Sequence, residues 1–182
     1  EAEALGGGGL AGKLVRLPRY FVVLVRGTRE DAEALWDEVA AVLAPIGLRL
    51  SPVKSRVCHI DEGFEFLGFR IQRRIKPGTT KRHVYTWPSK KSLNSITDKV
   101  RKLTRRNRHK TLADLPIQVN AALRGWCNYF KHGVSKRTFQ YLDHFAFWRA
   151  VSWLRKRHLG LNWGTLSRRY LPRWEITDSR VS

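Results

Sequence analysis

The chain has no methionine among its 182 residues and only two cysteines. Without methionine, residue 1 is no initiator, and further sequence upstream is expected. Cys58 and Cys127 stand far apart in apolar surroundings, which argues against a zinc site or a disulfide framework and fits a reducing compartment. No apolar run approaches the ~18 residues of a membrane span, and no secretory leader is recognisable. A cytoplasmic chain, or an organellar one in a eukaryote, with no membrane partner, is therefore expected. His59, His83, His109, His132, His144 and His158 share no metal-ligand spacing with carboxylates or thiols, so none is assigned a metal or a catalytic role. Acidic residues are the most uneven shortage: residues 70–182 hold 5 Asp+Glu against 27 Lys+Arg.

That imbalance is the dominant feature of what is present. The net charge is +20, yet residues 1–69 carry 8 Lys+Arg and 10 Asp+Glu, so that −2 lies in the first part and +22 in the second. The second part is expected to meet a polyanion. A hydrophobic content of 42% with 11% aromatics supplies enough apolar surface for a folded core.

Residues 1–13, with Gly6 to Gly9, lack periodicity and read as a flexible lead; no Lys-Ser/Thr follows that would make them a phosphate loop. Tyr20 to Val25 is a β-branched run and reads as a strand. Thr28-Arg-Glu-Asp31 opens a helix with a capping signature, and Ala32, Leu35, Trp36, Val39 and Leu43 form its apolar stripe until Pro45 and Gly47 stop it. Leu48 to Leu50 reads as a short extended piece. Arg56 to Ile60 and Phe64 to Gln72 read as strands joined by Asp61-Glu-Gly63, and His83 to Trp87 pairs back across the turn Lys76 to Lys81.

At Ser89 the apolar period lengthens from two to about three and a half, and Leu93, Ile96, Val100 and Leu103 become the inward stripe of a helix. Its other faces carry Lys90, Lys91, Arg101, Lys102, Arg105, Arg106, Arg108 and Lys110, with Asp98 the lone acid between Lys90 and Lys110. A solvated helix face normally interleaves both signs, so this run reads as phosphate-contacting. A second helix has Leu115, Val119, Ala122, Trp126 and Tyr129 on one stripe, capped by Asp114 or Thr111, with Pro116 in its first turn and Gly133 beyond its end. Its Trp-Cys-Asn-Tyr-Phe cluster reads first as core, and as RNA-facing only through its neighbours Arg124, Lys131 and His132. A third helix, Ser135 to His158, places Phe139, Leu142, Ala146, Ala150 and Trp153 on one stripe with Tyr141, Phe145 and Trp148 beside it, so burial on more than one side is expected. Lys136 and Arg137 open it; Arg155, Lys156 and Arg157 close it, where they also suit the negative end of a helix. Trp163 to Tyr170, with Arg168 and Arg169, forms a last short helix. All these cations are candidate RNA-binding residues.

Several separated motifs, in order, resemble the reverse transcriptase/maturase proteins encoded by group II introns. Gly125-Trp126, Asn128-Tyr129-Phe130 and the aromatic-basic helix after them look like the maturase-specific domain, called thumb or domain X. Arg16 to Val25, Ser51-Pro-Val-Lys-Ser55 and Phe66-Leu-Gly-Phe69 are similar to the family's active-site strand, its substrate-positioning loop and its primer grip. The resemblance implies an α+β chain: a partial polymerase palm over 14–88, with a βαβ and antiparallel sheet, then an all-α basic thumb/X domain over 89–172, and a tail at 173–182.

The departures bear on chemistry. Where the family's active-site strand carries two Asp that hold metal ions, this chain has Arg19 and Tyr20 when aligned without a gap; aligned on the Arg19-Tyr20 pair, three residues are deleted. Val53 stands where the family has Glu. The fingers, the strand with the third carboxylate and a His/Cys-rich nuclease domain are not recognisable in the chain. Two-metal nucleotide addition requires clustered carboxylates, so no catalytic residue, metal or cofactor is assigned, and Mg²⁺ belongs only to the intact polymerase family. The leading expectation is a fragment that binds structured group II intron RNA and assists splicing. The alternatives are a piece of a reverse transcriptase completed by an upstream polypeptide, a decayed remnant without activity, and a helical domain that binds duplex DNA.

Overall fold

In a computed structural model of the chain, residues 12–17, 20–53, 55–106 and 114–170 are described, with side chains from Phe21 onward except that of Arg106. Arg19, Arg108, His109, Lys110 and Thr111, the glycine-rich lead and the tail lie outside the described residues. The fold is α+β, as expected, in two compact units that part between Glu62 and Gly63.

In the first unit, strands β1 (Gly12–Leu17) and β2 (Tyr20–Val25) pair antiparallel, from Gly12↔Val25 to Leu17↔Tyr20. The sequence marks β2 but not β1, whose Leu14-Val15 pair is flanked by Lys13 and Arg16. Its strand character comes from pairing with Val22 and Val23 rather than from its own pattern. Helix α1 (Arg29–Leu43) starts at a reciprocal cap: the Asp31 amide donates to Thr28 Oγ1 at 3.3 Å, and the Thr28 amide donates to Asp31 Oδ2 at 2.7 Å. A single 3₁₀ turn, Ala44–Ile46, ends at Gly47, whose φ of 75° suits a residue without a Cβ. The expected strand over 56–60 does not form. An alternating run becomes a strand only where a partner edge meets it, and no described strand pairs with Arg56 to Ile60. Among the described side chains from Phe21 to Glu62 none is buried; the α1 stripe is only half covered, and Val42, Ile46 and Val53 stand exposed.

The second unit joins a three-stranded antiparallel sheet to four helices. β3 (Phe64–Phe66) and β4 (Phe69–Ile75) form a hairpin around Leu67-Gly68, and β5 (Arg82–Pro88) pairs with β4 from Ile75↔Arg82 to Phe69↔Pro88. The expected unbroken strand Phe64 to Gln72 is thus two strands. Leu67 and Gly68 have φ of 49° and 81°, the consecutive positive values that a two-residue primed turn needs to match strand twist. Only the glycine meets that geometry without strain, so sequence alone hides the turn.

The hairpin is fastened to the helices by its own backbone. The Ser89 amide donates to Gly68 O at 2.8 Å and Ser92 Oγ to the same oxygen at 3.0 Å, while Ser89 Oγ accepts from the Ser92 amide at 3.2 Å and caps α2 (Lys90–Arg106). A Cβ on Gly68 would come within 2.6 Å of Ser92 Oγ. These bonds cross the 88/89 point at which the sequence period changes, and the sheet accordingly groups with the helices rather than with the first unit. α3 (Asp114–Phe130), α4 (Lys136–Arg157) and α5 (Trp163–Tyr170) follow, with Asn162 Oδ1 accepting from the Thr165 amide at 2.8 Å as the α5 cap. Val100, Leu115, Val119, Ala146, Trp153, Leu154 and Leu166 form the core where these helices meet. As expected, α4 is buried on more than one side: Leu142, Ala146 and Trp153 share one stripe, while buried Val151 lies about opposite Leu142 on the helix; Tyr141 and Trp148 remain about half exposed, at 48% and 50%.

Candidate nucleic-acid interface

The aromatic motif on α3 divides between packing and tethering. Phe130 is buried, its ring 4.4 Å from that of Trp126 and 4.6 Å from that of Phe69, and Trp126 also meets Phe139 at 6.1 Å. Tyr129 is half exposed, yet its hydroxyl donates to Leu67 O at 2.9 Å, across 62 residues of sequence. Phe130 O accepts from Ser135 Oγ at 2.8 Å and from the Gly133 amide at 3.1 Å, and the Val134 amide donates to Thr86 O at 2.7 Å. A Cβ on Gly133 would approach Thr86 O to 2.8 Å. The motif therefore holds the sheet against α3 and the start of α4. Phe66, Leu67, Gly68 and Phe69, similar to a primer grip in sequence, sit in this joint, with the Leu67 and Gly68 carbonyls both engaged inside the unit.

The cations are gathered elsewhere. Arg101, Thr104 and Arg105 of α2 face Arg149, Ser152, Trp153 and Lys156 of α4 across an open cleft of about 510 Å³, with no acidic residue in its lining. The helical steps explain the placement: Arg101 and Arg105 are one turn apart beside the Val100–Thr104 edge, and Arg149, Ser152 and Lys156 recur at three and four along α4. Arg101 also donates from Nη1 to Asp98 Oδ1 at 2.7 Å, an exposed pair of small net value, and its guanidinium lies 5.2 Å from the centre of the Phe145 ring.

Of the residues singled out from sequence, Arg101, Arg105 and Lys156 come together here. Lys90 and Lys91 lie in the first turn of α2, Lys102 on its exposed face, Arg124 on α3, Lys131 in the turn after it, and Lys136 and Arg137 in the first turn of α4. None of these lines the cleft. Arg155 lies over Trp163 at 6.0 Å, Arg157 over Trp153 at 5.4 Å and Arg169 over Tyr170 at 5.6 Å, so several terminal cations cover aromatic rings; Arg168 Nε donates to Gly164 O at 3.1 Å. Arg106 ends α2, Arg108 and Lys110 lie outside the described residues, and Tyr20 opens β2. The cleft adds three residues absent from the sequence reading: Thr104, Arg149 and Ser152. A signal existed for Arg149, a lone cation in the otherwise apolar run Phe145 to Val151.

A second exposed feature runs along α4. Tyr141, His144 and Trp148 recur at three and four, and Trp148 stacks on Trp163 of α5 with ring centres 6.5 Å apart. Between α3 and α4, burial and then the Asp143 carboxylate of α4 push the Cys127 thiol of α3 above its usual range, and desolvation raises Asp143 itself. A thiol held protonated is a poor nucleophile, and Cys127 reads as a packing residue. Among the described residues no three of His, Cys, Asp or Glu lie together as a metal site, and no helix is long and apolar enough to cross a membrane.

Fold and surface together define an α+β unit in which a small sheet braces a basic helical body. Residues 93–171 match the family model for the group II intron maturase-specific domain. The match takes in α3, α4, α5 and nearly all of α2, hence both walls of the cleft. The chain is also 37% identical over 75 residues to Protein YkfC of Escherichia coli (strain K12). The matched stretch covers 41% of this chain and 20% of that relative.

Proposed function

We propose that this chain binds structured RNA, and group II intron RNA in particular, through its maturase-specific domain, and so favours the intron's splicing-competent shape. The observation that carries the reading is the acid-free cleft of Arg101, Arg105, Arg149 and Lys156 inside the segment that matches that domain. Such a role needs no bond-making by the protein. Binding energy that differs between RNA conformers shifts their populations, and cations set on rigid helices reward the conformer whose phosphates meet them. Lys90, Lys91, Lys102, Arg124, Lys131, Lys136 and Arg137, outside the cleft, add a longer-range attraction that steers the RNA without fixing its register.

The test is a competition between a folded group II intron transcript and a DNA duplex of equal length. The transcript is expected to bind at least about tenfold more tightly at the same salt, since a fixed set of cations discriminates between phosphate arrangements. Equal affinity would favour a general duplex-DNA binder. The chain alone is expected to extend no primer on an RNA template in Mg²⁺ or Mn²⁺, because β2 brings no Asp or Glu to hold either ion. Template-dependent extension by homogeneous protein would overturn that part of the reading.

The first unit supports a second reading. A hairpin and a helix without one buried side chain among the described residues present the apolar surface of an incomplete layer, for which an upstream reverse-transcriptase polypeptide is the proposed cover. In that reading extension appears only when the upstream polypeptide is supplied.

A further inference from the structure

Arg149 is held by a buried side chain of a neighbouring helix. Its Nε and Nη2 both donate to Thr104 Oγ1, at 3.1 and 2.7 Å, across 45 residues of sequence. The Thr104 hydroxyl passes its own hydrogen back to α2, to Val100 O at 3.0 Å, and the residue is only 6% exposed. The acceptor is thus fixed by a helix backbone and shielded from water, and it sets the plane of the guanidinium. Nη1 and the second hydrogen of Nη2 make no hydrogen bond among the described residues, and Arg149 lines the cleft, where Arg101, Arg105 and Lys156 add charge and Ser152 a hydroxyl. A cation held in this way, half-buried and without a carboxylate in the lining, lacks its counter-charge.

We infer that this cleft seats a single internucleotide phosphate of RNA, with Arg149 as the group that fixes its position and Thr104 as the residue that orients Arg149. The inference rests on the RNA-binding reading above and adds to it a defined site with a residue the charge pattern does not single out. A guanidinium presents its donors in a planar fork that matches two oxygens of a tetrahedral phosphate, whereas lysine offers a point charge. Pre-setting the fork removes part of the ordering cost that a free surface arginine meets on binding. The cleft, about 510 Å³ and open to one side, has room for a phosphate with the sugar attached to it. Other cations on these helices attract any polyanion; this one selects where a phosphate sits.

The decisive variant changes no charge. Thr104→Val keeps the size of the side chain and removes the acceptor, so Arg149 stays cationic but loses its orientation. Binding of a folded group II intron transcript by the full chain is expected to weaken about tenfold in Arg149→Met, with the slope of log affinity against log salt reduced by about one. In Thr104→Val a loss of about threefold to tenfold is expected, of the size of one misplaced charge-assisted hydrogen bond, and Thr104→Ser is expected to restore binding. Lys81→Met, which removes the same charge from the β4–β5 turn, is the comparator. A separate measurement needs no RNA: the Arg149 Nε–H resonance is followed by NMR while inorganic phosphate is added at constant ionic strength. A saturable shift in the wild type that is lost in Thr104→Val is expected. The inference is overturned if Thr104→Val binds RNA as the wild type does while Arg149→Met loses no more than Lys81→Met. It is equally overturned if acetate moves the resonance as strongly as phosphate, which would make the cleft a carboxylate site for an acidic protein segment. A wild-type chain that binds no RNA, yet shows the phosphate shift, would refute the RNA-binding reading and leave a phosphate site in place.

Discussion

Reversing Arg101, Arg105 and Lys156 to Glu is expected to weaken binding of a folded intron RNA on the order of a thousandfold at low salt, while the melting temperature moves by only a few degrees. Each reversal removes one phosphate neutralisation and adds a repulsion, and a tenfold loss per site corresponds to about 1.4 kcal/mol. The fold is spared because all three side chains are exposed and the Arg101–Asp98 pair contributes at most about 1 kcal/mol. The wild-type protein should meanwhile lose about a thousandfold in affinity between about 50 and 200 mM salt if about six phosphates are engaged, and the triple variant should show a visibly shallower slope. Filter binding across a salt series measures both. A flat wild-type profile would mean that the +22 of residues 70–182 is solvated charge and nothing more.

Phe130→Ala is expected to do the reverse: destabilise by about 3–5 kcal/mol and lower the melting temperature by roughly 10 °C or more, with the salt slope of RNA binding unchanged below the transition. Phe130 is 4% exposed and is the hub between Phe69 of the hairpin, Trp126 of its own helix and the turn that Ser135 closes. Removing the ring leaves a cavity at the joint between sheet and helices. Trp126→Ala should follow the same pattern with a smaller effect, because that side chain is only half buried. Calorimetry paired with binding at a fixed low temperature separates the two properties. A Trp126→Ala protein that melts normally but no longer binds RNA would make Trp126 a base-stacking residue and overturn its assignment to packing.

These two results would part the charge pattern from the aromatic motif, which lie side by side in sequence around Gly125 to His132. The motif gives a first impression of a binding surface because Arg124, Lys131 and His132 surround it. In the folded unit its rings point at Phe69 and Phe139, and neither Arg124 nor Lys131 lines the cleft. The charged site lies instead between α2 and α4.

Local physics made much of this protein readable from its residues. The reciprocal cap of Thr28 and Asp31, the start of α2 at Ser89, the extent of α5 and the turn between Lys76 and Lys81 each depend on interactions within a few residues of chain, and the structure has them where the sequence places them. The α+β class and the inward stripe of Ile96 and Val100 follow from periodicity in the same way. What depends on a distant partner was not readable. β1 is a strand because Val22 and Val23 pair with it, whereas Arg56 to Ile60 has the strand pattern but no partner edge among the described residues. The Leu67-Gly68 turn splits one apolar run because Ser89, Ser92 and Tyr129 bind its carbonyls from the helices. Arg149 joins Arg101 and Arg105 only because burial of Val100, Ala146 and Trp153 in one core sets α4 against α2. The sequence by itself therefore determined that a basic helical unit exists and which helices carry its charge. Tertiary packing decided which of those charges share a cleft, because that depends on which helix faces bury their apolar stripes against each other.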